Sequence, residues 1–274
     1  MRKLILLLSI SCFLISFTKK EITWTAIGDS ITYLNDHPDE TKDRITKGYM
    51  TRVTEKLPYI HFINQGHNGW TSGRIAENIE KLGLVKSDVY SVFLGTNDWW
   101  HSNPLGYFTD YLNNTGSKTS YGSFRIIIDK IRSLNKEAKI ILITPMQRGD
   151  FVYINNPKNN AWGSYKEKDG QTLEQFVGAI DSIGRYEYIK VVDLYHQKEM
   201  PVKDLVKYKR LKDPQTGVYK NYPYPDYIDI PFNPDTDDYP YPVDAMGITY
   251  DGLHPSDKGF DIIAGMLIKI MKKY

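Results

Sequence analysis

The sequence predicts an α/β fold, a parallel sheet covered by helices on both faces. Two observations point to it: short apolar runs bounded by Gly, Asn, Asp or Pro recur along the chain, and amphipathic stretches of helical period fill the gaps between them. A third is size. With 274 residues, 41% hydrophobic and 25% charged, the chain can bury a large core and has the balance of an ordinary globular protein.

Ahead of the alternating pattern, Arg2 and Lys3 precede an apolar run from Leu4 to Phe17, followed by Lys19, Lys20 and Glu21. The run is too short for a membrane span and reads as a signal peptide over residues 1–20, which places the protein outside the cytoplasm, periplasmic or extracellular. Cys12, the only cysteine, lies inside it in "SISC", a distant relative of the bacterial lipoprotein signal, so a lipid anchor at Cys12 is the alternative. Cleavage beyond Cys12 leaves a mature chain without a thiol, which excludes disulfides and cysteine nucleophiles.

The first strand is expected at Thr23–Ile27, breaking at Gly28 into "GDSIT". Four more follow at Tyr59–Asn64, Asp88–Leu94, Lys139–Thr144 and Lys190–Leu194, each short and mostly apolar or β-branched. Between them fall helices at Ile45–Leu57, Ser72–Leu82, Ser120–Leu134 and Leu173–Tyr186. A last helix follows Pro255, where Phe260, Ile263, Ala264, Leu267, Ile270 and Met271 form one apolar face. Two segments stand outside the alternation, about residues 146–170 and 212–246. The second, with "YPYPDYIDIPFNPDTDDYPYPVD", is too proline-rich for a helix and too long for a routine loop, so it is either functional or poorly ordered. The organisation is one domain, 21–274, with two elaborated loops. A net charge of +2 without a basic run gives no reason to expect nucleic acid as a partner. "NPDTDD" lacks the glycine and terminal glutamate of a calcium loop and reads as a solvated acidic turn.

In parallel sheets ligands sit at the carboxyl ends of the strands. Acyl-transfer residues collect there: Ser30 after the first strand, Gly66 and Gly69 of "NQGHNGWTS" after the second, and Asn97 of "GTNDWW" after the third. "DGLHP" near the C-terminus adds Asp251 three residues before His254. A serine hydroxyl needs an imidazole base, the imidazole needs a partner for its other nitrogen, and a tetrahedral oxyanion needs fixed donors. Singly each residue has a plainer use. Gly, Asp and Ser favour turns, Asn97 can cap a strand end, and Asp29 and Asp98 suit capping roles. Their joint occurrence in chain order favours chemistry. Asp193 and His196 repeat the Asp–His spacing, but bulky Leu194 and Tyr195 read as strand, which would turn the two side chains to opposite faces. His254 is therefore the expected base.

These four blocks resemble those of the SGNH hydrolases, also called the GDSL lipase and esterase family. The resemblance spans residues 28–255 and implies a flavodoxin-like three-layer α/β/α sandwich on a five-stranded parallel sheet, with no metal or organic cofactor. It implies Ser30 as nucleophile and, through its backbone N–H, first oxyanion donor. Gly69 supplies the second donor by its N–H and Asn97 the third by its side chain, with His254 as base and Asp251 as its orienting acid. Trp70 follows Gly69 where many members carry aspartate, and Gly66 is a nearby alternative donor. The implied activity is that of a serine esterase, and aromatic residues interleaved with Asp and Asn in the two loops, which suit sugar rings, make an acetyl or other short acyl group on a carbohydrate the expected substrate. A lipase or lysophospholipase is the alternative within the same chemistry, and a non-catalytic carbohydrate-binding protein the alternative outside it. Candidate substrate contacts are Trp70, Trp99, Trp100 and Tyr250, with Trp162 and the tyrosines of residues 212–246 either facing sugar rings or packing their loops down.

Overall fold

A computed structural model describes residues 19–274; the expected signal segment up to Thr18, Cys12 included, lies outside the described residues. In chain order the strands are β1 (Ile22–Gly28), β2 (Ile60–Gly66), β3 (Val89–Phe93), β4 (Lys139–Ile143), β5 (Phe151–Val152), β6 (Asn160–Ala161), β7 (Lys190–Val192), β8 (Lys209–Lys212) and β9 (Tyr219–Tyr222). Five of them form one parallel sheet in the order β2-β1-β3-β4-β7. These are the five expected strands, in a flavodoxin-like order that starts in the middle and winds to both edges. The helices are α1 (Ser30–Tyr33), α2 (Tyr49–Lys56), α3 (Ser72–Glu77), α4 (Thr96–Trp100), α5 (Phe108–Asn113), α6 (Ser120–Leu134), α7 (Leu173–Glu187) and α8 (Asp257–Met271).

The period of two in each strand sorts its side chains onto two cores. Trp24, Ala26, Val89, Phe93, Ile141 and Ile143 face one layer, where Tyr49, Met50 and Val53 of α2 pack beside Phe260, Ile263 and Leu267 of α8. Ile27, Tyr90, Val92, Ile140 and Leu142 face the other, against Ile75 of α3, Ile127, Ile128 and Ile131 of α6, and Ile180 and Ile183 of α7. Strands buried on both faces have no polar side to alternate, which is why they read as near-continuous apolar runs.

Two helices are shorter than their apolar spacing predicts. Residues 45–48 are not helical: Asp257 Oδ1 accepts the N–H of Thr46 at 2.9 Å and its hydroxyl at 3.1 Å, holding the chain off the helical path until Gly48. The helix at Ser72 stops at Glu77, where Asn78 closes it and donates its side-chain amide to Arg74 O at 2.9 Å. β7 ends at Val192, two residues early, because Asp193 folds back to accept the His196 N–H at 3.1 Å.

Both elaborated segments are built structure. In the first, β5 and β6 pair antiparallel; in the second, β9 pairs with β8. Tyr227 and Tyr241 are fully buried with Val152, Val206 and Leu211, and Tyr222, Tyr224, Phe232 and Tyr239 pack against that cluster. The tyrosines of residues 212–246 thus pack their segment onto the first elaboration. One ion pair joins the two: Lys209 Nζ lies 2.9 Å from Asp150 Oδ2, with both side chains nearly buried.

Candidate active site

β1 delivers the chain to the carboxyl edge of the sheet at Gly28, and Asp29 turns it. The Asp29 carboxylate accepts the Ile31 N–H at 3.0 Å, capping α1 and leaving Ser30 as its first residue. Helix starts leave their first N–H groups without intrahelical partners, so the Ser30 N–H stays available beside its own hydroxyl. Burial pushes the Asp29 carboxyl up from 3.8 to about 6, against the lowering effects of its bond from Ile31 and the nearby His254.

The Ser30 hydroxyl lies 2.9 Å from His254 Nε2, across 224 residues of sequence. The other ring nitrogen, Nδ1, lies 2.7 Å from Asp251 Oδ2, and Asp251 Oδ1 accepts the backbone N–H groups of His254 at 2.7 Å and Leu253 at 3.0 Å. Asp251 is completely buried and His254 nearly so. A carboxylate can only accept, so it fixes the Nδ1–H tautomer and leaves Nε2 as the acceptor facing Ser30. Spacing alone also pairs His196 Nδ1 with Asp193 Oδ2, at 2.8 Å, because β7 ends before them and the opposite-face expectation fails. That imidazole is half-exposed, and its other nitrogen faces Glu174 at 3.4 Å rather than a serine.

Ser30, Gly69, Asn97 and His254 line one cavity of about 460 Å³. Asn97 Nδ2 donates to Trp70 O at 3.0 Å, which leaves its second N–H for the cavity. Gly69 takes φ +70 with open space where a Cβ would stand. Gly66 cannot substitute for it: its N–H already donates to Asn64 Oδ1 at 2.8 Å, and it packs against the Tyr33 backbone. Asp98, fully buried, accepts the Ser72 N–H at 2.9 Å and the Ser120 hydroxyl at 3.1 Å, tying α4 to the starts of α3 and α6. Burial raises its carboxyl above the usual range. Asp29 and Asp98 therefore have the capping and supporting contacts expected of them.

The four candidate aromatic contacts divide. Trp100 and Tyr250 line the cavity, Tyr250 lying nearly parallel to the His254 ring at 5.8 Å. Trp99 does not; it is fully buried against Leu173 and Phe176, with its indole N–H donated to Gln171 O at 2.9 Å. Trp70 stacks on His67 at 4.3 Å, outside the lining, and contributes its backbone carbonyl. Much of the missed lining comes from the first elaborated loop, as Arg148, Phe151, Tyr153 and Asn159; Leu34, Glu40, Asn68, Arg74 and Leu253 add to it from elsewhere. The loop's position after β4, at the same sheet edge as the motifs, was the available signal. That loop is pinned to the Asp251 turn by Gly149 N–H to Gly252 O at 2.8 Å and Val152 N–H to Asp251 O at 3.2 Å. Among the described residues, no three His, Cys, Asp or Glu side chains form a metal-binding group, and no helix is long and apolar enough to cross a membrane.

A family model described as GDSL-like lipase/acylhydrolase matches residues 26–262. The crystal structure of a possible lipase from Chitinophaga pinensis is 62% identical over 92% of this chain and 98% of that one, with a TM-score of 0.91. An acetyl-xylooligosaccharide esterase from Geobacillus shares the fold at 20% identity and TM-score 0.54, over 91% of this chain and 94% of that one. An acetyl xylan esterase shares it at 19% identity and TM-score 0.53, over 91% of this chain and 99% of that one. No curated protein matches the chain.

Proposed function

Since the chain belongs to the GDSL-like lipase/acylhydrolase family, we propose that it is an exported serine esterase that removes an acetyl or other short acyl group from a carbohydrate. The observation that carries the chemistry is the connected line from Ser30 Oγ through His254 Nε2 and Nδ1 to Asp251, ending in a cavity that also holds Asn97 and Gly69.

Ser30 Oγ attacks the ester carbonyl carbon as His254 Nε2 takes the hydroxyl proton. The carbonyl oxygen becomes an oxyanion held by the N–H groups of Ser30 and Gly69 and the free N–H of Asn97. Its collapse breaks the bond to the alkoxide, to which His254 returns the proton, leaving the acyl group on Ser30. Water then attacks the acyl carbon while His254 takes its proton, and the second collapse releases the carboxylic acid and restores the serine hydroxyl. Asp251 holds the tautomer throughout and stabilises the imidazolium.

For the substrate class, support comes from the make-up of the cavity wall, where the aromatic Trp100 and Tyr153 stand beside the side-chain amides of Asn68 and Asn159, a mix that suits the C–H groups and hydroxyls of a sugar. The charged–apolar–charged start of the sequence supports export. Two cores sharing one sheet support a single domain over residues 21–274. Hydrolysis of p-nitrophenyl acetate, butyrate and palmitate, beside a Ser30→Ala variant, tests the reading. Acetate turnover lost in the variant, with palmitate inert, is the expected result; palmitate as the best ester would make the protein a lipase.

A further inference from the structure

Arg148 is 1% exposed, yet its Nε and Nη2 atoms have no hydrogen-bond partner among the described residues. A buried cation without such partners is costly. The nearby acids are occupied elsewhere: Asp251 by His254 and Leu253, and Asp150 by Lys209, Tyr165 and the Gly163 N–H. What holds the guanidinium is aromatic, with the rings of Trp100 at 5.1 Å, Trp99 at 5.4 Å and Phe151 at 5.9 Å. Those contacts fix its place and supply no acceptor. Arg148 lines the cavity that holds Ser30, and Arg74, exposed and resting over Trp70 at 4.6 Å, lines it as well.

The side of the cavity follows from the chemistry. His254 must return its proton to the departing alkoxide, so the alcohol half of the ester lies on the imidazole's side. Phe151 stands edge-on to that imidazole at 5.4 Å, and Arg148 sits against Phe151. Through Phe151 the guanidinium therefore borders the alcohol half of the ester.

We propose that Arg148, assisted by Arg74, forms an anionic subsite for the alcohol half of the substrate, so that the preferred ester is an acylated sugar acid whose carboxylate pairs with Arg148. This rests on the serine esterase reading above. A planar guanidinium with open donors matches a carboxylate with two parallel hydrogen bonds, which a neutral hydroxymethyl group cannot supply.

The test compares methyl glucuronide and methyl glucoside carrying one acetyl group on the same hydroxyl, with released acetate measured. Wild-type protein is expected to favour the glucuronide by about tenfold or more in kcat/KM. The ratio should fall to near unity in Arg148→Gln and by a smaller factor in Arg74→Gln. Should Arg148→Gln not fold, the unacetylated glycosides provide a second reading as inhibitors of wild-type p-nitrophenyl acetate hydrolysis. The glucuronide should then act at about tenfold lower concentration than the glucoside. Equal rates on both esters and equal inhibition by both glycosides would overturn the subsite. The p-nitrophenyl acetate assay with Ser30→Ala judges the esterase reading separately: serine-dependent turnover without a glucuronide preference defeats only the subsite.

Discussion

Phe151 meets the His254 imidazole edge-on, ring centroids 5.4 Å apart at 75°, and so brings the elaborated loop after β4 into contact with the proposed base. Aromatic pairs of this geometry contribute about 0.5–1.5 kcal/mol beyond the area they bury. Phe151→Ala should therefore lower kcat on p-nitrophenyl acetate by about three- to tenfold through a looser imidazole. Steady-state kinetics on a variant with an unchanged circular dichroism spectrum checks it.

In the proposed mechanism Ser30 and His254, 2.9 Å apart, act as one unit, so their losses should not add. Ser30→Ala and His254→Ala are each expected to cost about 10⁴-fold or more in kcat, and the double variant no more than the worse single one. A double variant slower by the product of the two would mean that the pair works independently.

Asn97→Ala removes one proposed oxyanion donor while the hydroxyl–imidazole contact stays in place. The expected loss is about 10²- to 10³-fold in kcat with little change in KM. A change confined to KM would assign Asn97 to ground-state binding.

Gly66 and Gly69 separate structure from chemistry. A Cβ at Gly66 would stand 2.1 Å from the Tyr33 backbone nitrogen, so Gly66→Ala should unfold the protein or lower its melting temperature steeply. A Cβ at Gly69 meets nothing within 4 Å, and the strain of φ +70 costs only about 1–2 kcal/mol. Gly69→Ala should fold and, since alanine keeps the backbone N–H, should lose less activity than Asn97→Ala, as read by a thermal melt and an ester assay on the same preparation.

Asp29 contributes a pH dependence of unusual sign. Burial raises its carboxyl from 3.8 to about 6, so the folded protein holds a proton that the unfolded chain has already released between those values. Stability therefore falls as pH rises through that window, by roughly 3 kcal/mol in all. Asp29→Asn removes this slope while keeping an acceptor for the Ile31 N–H. The variant's melting temperature should gain on wild type between pH 4 and pH 7; a constant difference would refute the assignment.

The sheet was legible because β1, β3 and β4 are buried on both faces, so their runs stay apolar however the chain is divided. Ser30, Asn97 and the Asp251–His254 pair were legible because strand ends and short spacing place them without knowledge of the tertiary fold. The tryptophans were not. Consecutive residues on α4 point about 100° apart, so adjacency in sequence does not place Trp99 and Trp100 together, and which one meets the cavity depends on where the helix starts. Arg148 and Phe151 were hidden for another reason: their loop is shaped by contacts with Lys209 and Tyr241, 59 and 91 residues from Asp150. The β8–β9 hairpin escaped notice because "KRLK" and "YKNY" carry too few apolar residues to show a period.

The buried pair of Lys209 and Asp150 makes the molecule two inventions clipped together. The proposed bond-breaking groups ride on the sheet edge and its closing turn, while Arg148, Phe151, Tyr153 and Asn159 of the cavity wall ride on a segment that this ion pair fastens to the β8–β9 hairpin. On the proposed reading, substitutions in the hairpin, which contributes no residue to the cavity lining, would change which ester is chosen and leave the manner of its cleavage alone, so directed evolution of specificity has its natural starting point there.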